Sequence, residues 1–178
     1  MNKELFVDKN PSLDTSWRSI ILLGRNVASY KFALAKSLLE IDSSSTEIEI
    51  EKIATPFAKN ICEHLKNNEK QVTSKSSKFL ETCKKFNNSE ISEDELKQTT
   101  VKLGFVNVVD AFQNVNGGQI PKLFYEKDYT DGNKRIIIKD ELLNLKKRFQ
   151  FQNLESEAEA RWKLVETAWS LNINPNLL

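Results

Sequence analysis

The stretch VASYKFALAKSLLEI, Val27 to Ile41, decides the fold. Its apolar residues Val27, Ala28, Tyr30, Phe32, Ala33, Leu34, Ala35, Leu38, Leu39 and Ile41 cover nearly every side of a helix, and Ser29, Lys36 and Glu40 leave a narrow polar strip. A helix apolar on most sides is surrounded by other elements, which places this one at the centre of a helical domain. Upstream, Asp14, Thr15 or Ser16 can cap a short helix that starts near Trp17 and ends at Gly24, a residue suited to the left-handed position past a helix end. Asn26 offers a cap for the central helix. Residues 1–16 mix charge, Asn and Pro11 without periodicity and read as a leader, leaving 17–178 as one domain.

Downstream, IDSSSTEIEIEK (Ile41 to Lys52) is a break, and the alternation from Glu47 to Glu51 suits a short edge strand and a solvated linker equally. Ile53, Phe57, Ile61 and Leu65, four apart, predict a helix over about 52–65 with Pro56 in its first turn. Phe79, Leu80, Cys83 and Phe86 predict another over about 76–86. Ser92 and Glu95 have capping-box spacing, flanked by Ile91 and Leu96 as a hydrophobic staple, and this helix should stop at Gly104. The stripe Phe105, Val108, Val109, Phe112 is helical in spacing, although FVNVV is β-branched enough for a strand. The runs 120–125 and 135–138 flank Asp131-Gly132, a dipeptide that favours hairpin turns. Asp140 then caps a helix with Leu142, Leu143 and Leu145, and Ser156 opens a last one with Ala158, Trp162, Val165 and Trp169 on one face. The fold class is mainly α, a multi-helix domain with one β-hairpin at about 120–138.

Composition narrows the chemistry. The 178 residues are 39% hydrophobic and 29% charged, an ordinary globular balance, and 26 basic against 25 acidic side chains leave a formal charge of +1. Any electrostatic function is therefore local. Cys62, Cys83 and His64 are the only cysteines and histidine, too few for a four-ligand zinc site, and both cysteines fall on apolar helical stripes as core residues. No cofactor is expected. Unpaired cysteines and the lack of a signal-like or membrane-spanning apolar run favour a reduced, cytoplasmic setting without membrane contact.

Catalytic constellations are scarce. His64 and Cys62, two apart on a helix, point away from each other, so they form no nucleophile–base pair. Glu47, Glu49 and Glu51 would share a face of a strand and could then hold Mg²⁺, but a solvated acidic edge accounts for them more simply. Binding signals are better. Lys66, Lys70, Lys75, Lys78, Lys84 and Lys85 form one basic group; Lys134, Arg135, Lys139, Lys146, Lys147 and Arg148 form a second, at a hairpin followed by a helix, as winged-helix domains present to a duplex. This second group is the candidate DNA-binding set. The competing view is that these charges are solvated faces.

Four blocks together resemble a known family: ILLGRNVASYKFALAKSLLE (Ile21 to Glu40), TSKSSKFLETCKKFN (Thr73 to Asn87), LGFVNVVDAFQNVNGGQIP (Leu103 to Pro121) and EARWKLVETAWSLNINPNLL (Glu159 to Leu178). They look like the N-terminal region of bacterial HNH-family endonucleases of restriction or phage-defence type. The resemblance implies a partner domain of a DNA-cleaving enzyme, with a histidine-centred nuclease module following Leu178 and no catalytic residue in this chain. It implies DNA and a C-terminal nuclease module or partner subunit as partners. The alternative is a protein-interaction or oligomerisation domain of such an enzyme or of a defence complex, including a homo-oligomer, with Trp162 and Trp169 as core anchors or a seam to a neighbour.

Overall fold

A computed structural model describes residues 10–42 and 44–178. Most of the expected leader, and Ser43, therefore lie outside the described residues. The chain is mostly helical, with two small antiparallel sheets. Helix α1 is Leu13–Leu23, α2 is Tyr30–Glu40, and after strand β1 (Glu47–Glu49) come α3 (Ile50–Leu65), α4 (Lys78–Asn87) and α5 (Glu93–Thr99). A π-helical turn, Thr100–Gly104, leads to α6 (Val108–Ala111), the strands β2 (Asn114–Val115), β3 (Gly118–Gln119), β4 (Tyr125–Asp128) and β5 (Arg135–Ile138), then α7 (Asp140–Lys146) and α8 (Phe151–Ser170).

Local chemistry corrects several boundaries. Helix α1 begins inside the expected leader because Ser12 accepts the Thr15 amide as N-cap, a role the sequence reading placed at Asp14, Thr15 or Ser16. Gly24 ends α1 at φ −65°, so it is not left-handed; its small size matters, because a Cβ there would stand 2.6 Å from the Ile20 carbonyl oxygen. Helix α2 starts at Tyr30 rather than Val27. Ala28 bridges Val72 in antiparallel fashion, with the Ser29 amide on the Gln71 carbonyl at 2.9 Å and the Thr73 amide on the Val27 carbonyl at 2.9 Å, so this backbone is committed elsewhere. Asn26 caps nothing; its side chain donates to the Pro175 carbonyl at 3.2 Å.

Pro56 sits in the interior of α3, not its first turn, because the helix starts at Ile50. The missing amide leaves one carbonyl a turn earlier without its helical donor. Ser92 and Glu95 do form the capping box. The 105–112 stripe resolves as helix α6 after the π turn, where Gly104 lets Phe57 and Phe79 close in. Asp140 is the first residue of α7 rather than its cap, and α8 opens at Phe151, five residues before Ser156.

The expected hairpin exists as β4–β5, around Asp131 and Gly132 at φ 56° and 77°. Its first strand starts late, at Tyr125. Here the Gln113 carboxamide oxygen accepts the Phe124 amide at 2.7 Å and its nitrogen donates to the Tyr125 carbonyl at 3.0 Å, occupying the ladder positions. It is not the sole hairpin: β2 and β3 pair across Asn116 and Gly117, both at positive φ. The alternation at Glu47 resolves as a strand, with β1 on the outer edge of β5 and Ile48 opposite Ile136.

One continuous cluster of buried apolar residues runs through helices α1 to α8 and strands β1, β4 and β5. Helix α2 buries Phe32, Ala33, Leu34, Ala35, Leu38 and Leu39, packing against α1, α3, α6 and α8. Trp17 meets Phe112 and Phe124 edge-on, and Phe57 contacts Tyr30, Phe79 and Phe105. Trp162 and Trp169 are both buried on α8. Aromatic burial on this scale carries much of the stability, since a Phe or Trp truncation in a core costs about 3–5 kcal/mol.

Candidate functional site

Three regions hold the polar groups that a function could use. The first is the predicted DNA-binding set, which the fold spreads over β5, α7 and the turn after it. Arg135 reaches Asp128 at 2.6 Å and Glu47 at 3.3 Å, Lys139 reaches Glu126 at 2.6 Å, and Arg148 reaches Asp14 at 2.5 Å. Hydrogen bonds from Thr130 and Arg135 hold the Asp128 carboxyl at about 2. Lys146 is half-buried, its amine donating to the Ile41 carbonyl at 2.5 Å, and burial lowers its pKa. Lys134 is exposed and lies 5.6 Å from the Tyr129 ring centroid, and Lys147 is exposed at the end of α7. Of six cations, three are therefore tied to carboxylates and a fourth to a backbone carbonyl.

Carboxylates fare no better as a metal site. Glu47 serves Arg135, Glu51 lies on α3 and reaches Lys97 at 3.8 Å, and no group of His, Cys, Asp or Glu among the described residues could hold an ion. Among those residues no helix is long and apolar enough to cross a membrane.

The second region is a buried polar network beneath α8. Glu166 accepts from Gln71 Nε2 at 2.6 Å and Asn68 Nδ2 at 3.0 Å, and lies 2.7 Å from His64 Nδ1. Gln71 in turn accepts from Trp162 Nε1 at 2.9 Å. His64 stacks on Trp162, centroids 3.5 Å apart and planes 2° from parallel, with Nε2 3.2 Å from Glu159. Burial alone would raise Glu159; the hydrogen bond from Lys36, with His64 adding to it, outweighs this and holds the carboxyl at about 2. Every polar group here has a partner, and Cys62 and Cys83 are buried between α3 and α4 with the Cys62 thiol 3.8 Å from the Cys83 carbonyl. This is the arrangement of a structural clamp: it fixes α8 to the end of α3 and to the 66–72 connection, and through the Gln71 backbone it holds the Val27–Ser29 segment.

The third region is an open groove of about 990 Å³. Its walls are the end of α1, the start of α2, the segment from Val72 into α4, and the stretch from Leu103 to Gly117. Apolar side chains dominate it, among them Leu23, Val27, Val106, Val108 and Phe112, and three of these are far more exposed than a core stripe would leave them: Leu23 at 58%, Val27 at 49% and Val106 at 63%. Tyr30 and Ser77, the N-cap of α4, join their hydroxyls at 3.0 Å on one wall, and burial raises the Tyr30 phenol to about 12.

Lys31 also lines this groove, although only 7% of it is exposed. Helix α1 has no basic residue in its last turn, and the work of satisfying its terminal carbonyls falls to other helices. Lys31 Nζ donates to the Gly24 carbonyl at 2.6 Å and approaches that of Ile20 at 3.4 Å, while Arg161 Nη2 donates to that of Leu22 at 3.1 Å. Burial, with the neighbouring Arg161 charge adding to it, lowers the Lys31 amine to about 7. The sequence reading missed Lys31, and a signal was present: three and four residues from Lys31 stand Ala28, Leu34 and Ala35, so a lysine occupies an apolar face. Arg25 and Lys78 stand at the rim, exposed and without an ion pair among the described residues. No Asp or Glu is among the groove's described lining residues. Compared with known proteins, the chain matches no family model, no curated protein and no solved structure.

Proposed function

We propose that this chain is a non-catalytic interaction domain that docks a segment of a partner protein in the groove between α1, α2, α4 and α6. The observation that carries the reading is the open groove of about 990 Å³ with Val27 and Val106 exposed on its walls. Exposed apolar surface gathered in one concavity marks a binding face, because scattered exposed residues need no such clustering. In the setting of an HNH-type endonuclease, which the sequence resembles, the partner would be the nuclease module or another subunit, and the chain would position the cutting domain without cutting. A DNA-engaging role through Lys134, Arg135, Lys139, Lys146, Lys147 and Arg148 is the less favoured reading, because carboxylates already hold Arg135, Lys139 and Arg148.

Selection from a random peptide library against the full chain tests the proposal. Selected peptides should lose binding on Val27→Asp or Val106→Asp and keep it on Lys134→Glu with Arg135→Glu. Peptides indifferent to the groove substitutions would sink the docking reading. Salt-sensitive retardation of duplex DNA that disappears on the Lys134 and Arg135 reversals would replace it with the DNA-engaging one.

A further inference from the structure

The charge of the groove specifies what enters it, and this inference rests on the docking reading above. Three cations, Arg25, Lys31 and Lys78, line a cavity whose described lining contains no carboxylate. Elsewhere some cations are held by acids, as Arg18 is by Glu157, Lys59 by Glu93 and Lys127 by Asp110, while others, such as Lys70, Lys75 and Lys134, are in no ion pair among the described residues. What sets the groove apart is that its unpaired cations stand over an apolar concavity. Lys31 is the most informative of the three. Lys31 Nζ contacts the Gly24 and Ile20 carbonyls and lies 4.9 Å from the Phe32 ring centroid, so a third donor is open to an acceptor only while the amine carries its proton. A carboxylate arriving there would also offset the cost of holding the charge away from water.

We infer that the groove receives an acidic amphipathic helix of a partner protein, its apolar stripe against Leu23, Val27 and Val106 and its Glu or Asp side chains reaching Arg25, Lys78 and the Lys31 amine. A helix fits better than an added strand because β2 and β3, the strands nearest the groove, have two residues each and offer almost no edge. Three separate cations fit a segment carrying several carboxylates better than a single-headed amphiphile.

Two labelled synthetic peptides test this by fluorescence anisotropy, both with Leu at i, i+3, i+4 and i+7, one with Glu and the other with Lys at the polar positions. The Glu peptide should bind at least about tenfold tighter at low salt, with the gap closing as salt is added. Arg25→Glu with Lys78→Glu, both at exposed positions that leave the core untouched, should erase the preference. Lys31→Met should weaken the Glu peptide several-fold, and Lys31→Arg should restore part of the loss. Equal binding of the two peptides, both blocked by Val106→Asp, would overturn the acidic assignment and leave the docking reading standing. Preference for the Lys peptide, or binding of added dodecanoate where neither peptide binds, would overturn it as well. Failure of both peptides, together with library peptides indifferent to Val106→Asp, would remove the docking reading too.

Discussion

On the sheet side of the molecule Arg135 lies between Asp128 and Glu47, and Lys139 against Glu126; at the groove Arg25 and Lys78, in no ion pair among the described residues, border an apolar wall whose described lining holds no acid. Both regions carry several cations close in sequence or space, so charge counting treats them alike. What separates them is the degree of pairing: carboxylates hold three of the six sheet-side cations and leave Lys134 and Lys147 unpaired, whereas they hold neither Arg25 nor Lys78 among the described residues. A cation already bonded to a neighbouring carboxylate presents little net field to an incoming polyanion, whereas an uncompensated one over an apolar surface offers both long-range attraction and a place to bury carbon. The contrast teaches that a basic cluster becomes a binding surface only when the fold withholds its counter-charges.

The comparison breaks most severely if the clamp behind the groove is removed. Glu166→Ala strands Gln71, Asn68 and His64 without their shared acceptor, and loss of one partner in a buried polar group of this kind costs about 3–5 kcal/mol. Chemical denaturation should show that loss, and hydrogen exchange should show early opening at the Ser29 and Thr73 amides that hold the groove wall, with β4–β5 protected for longer. Next comes Gly104→Ala, whose new Cβ would stand 3.1 Å from Phe57 Cε1 and from Thr100 Cγ2, so the groove side must repack. Overpacking of this order costs about 1–3 kcal/mol, read from the denaturation midpoint.

Lys31 sharpens the comparison through pH. Its folded pKa of about 7 lies below the ordinary 10.5, so between these values the unfolded chain binds a proton that the folded chain does not. Stability therefore rises with pH across about 7 to 10.5 on account of this group, and the penalty is greatest below 7. Melting curves of Lys31→Met over that range should lack this rise, and an identical profile in both proteins would refute the buried, depressed amine. The smallest effect belongs to the sheet side. Arg135→Ala removes a surface ion-pair set, so the melting temperature should barely move, and whatever shift exists should vanish in high salt.

Much of the helical framework was legible from local chemistry. Ser92 and Glu95 declared a capping box that the fold contains, because both halves of that interaction lie within one turn. Asp131-Gly132 marked the β4–β5 turn because the two residues tolerate positive φ. Boundaries slipped wherever a remote group took over a backbone position: Gln71 and Val72 at the start of α2, Gln113 at the start of β4. The site was less legible still. Asp128, seven residues from Arg135, stood against the Lys134 to Arg148 patch in the sequence along with Asp131, Asp140 and Glu141, but the other acids that pair with it, Glu126, Glu47 and Asp14, stand 13, 88 and more than a hundred residues away.

Periodicity, caps and composition thus determined by themselves that this chain is mainly helical, carries a hairpin at about 120–138, buries its cysteines, and has too few histidines and cysteines for a four-ligand Cys/His zinc site. Those properties depend on neighbours within a turn or two, or on counts alone. Only the tertiary structure decided which cations keep their charge unopposed and where apolar side chains remain uncovered, because Coulomb interactions and burial act through space between residues that chain order leaves far apart.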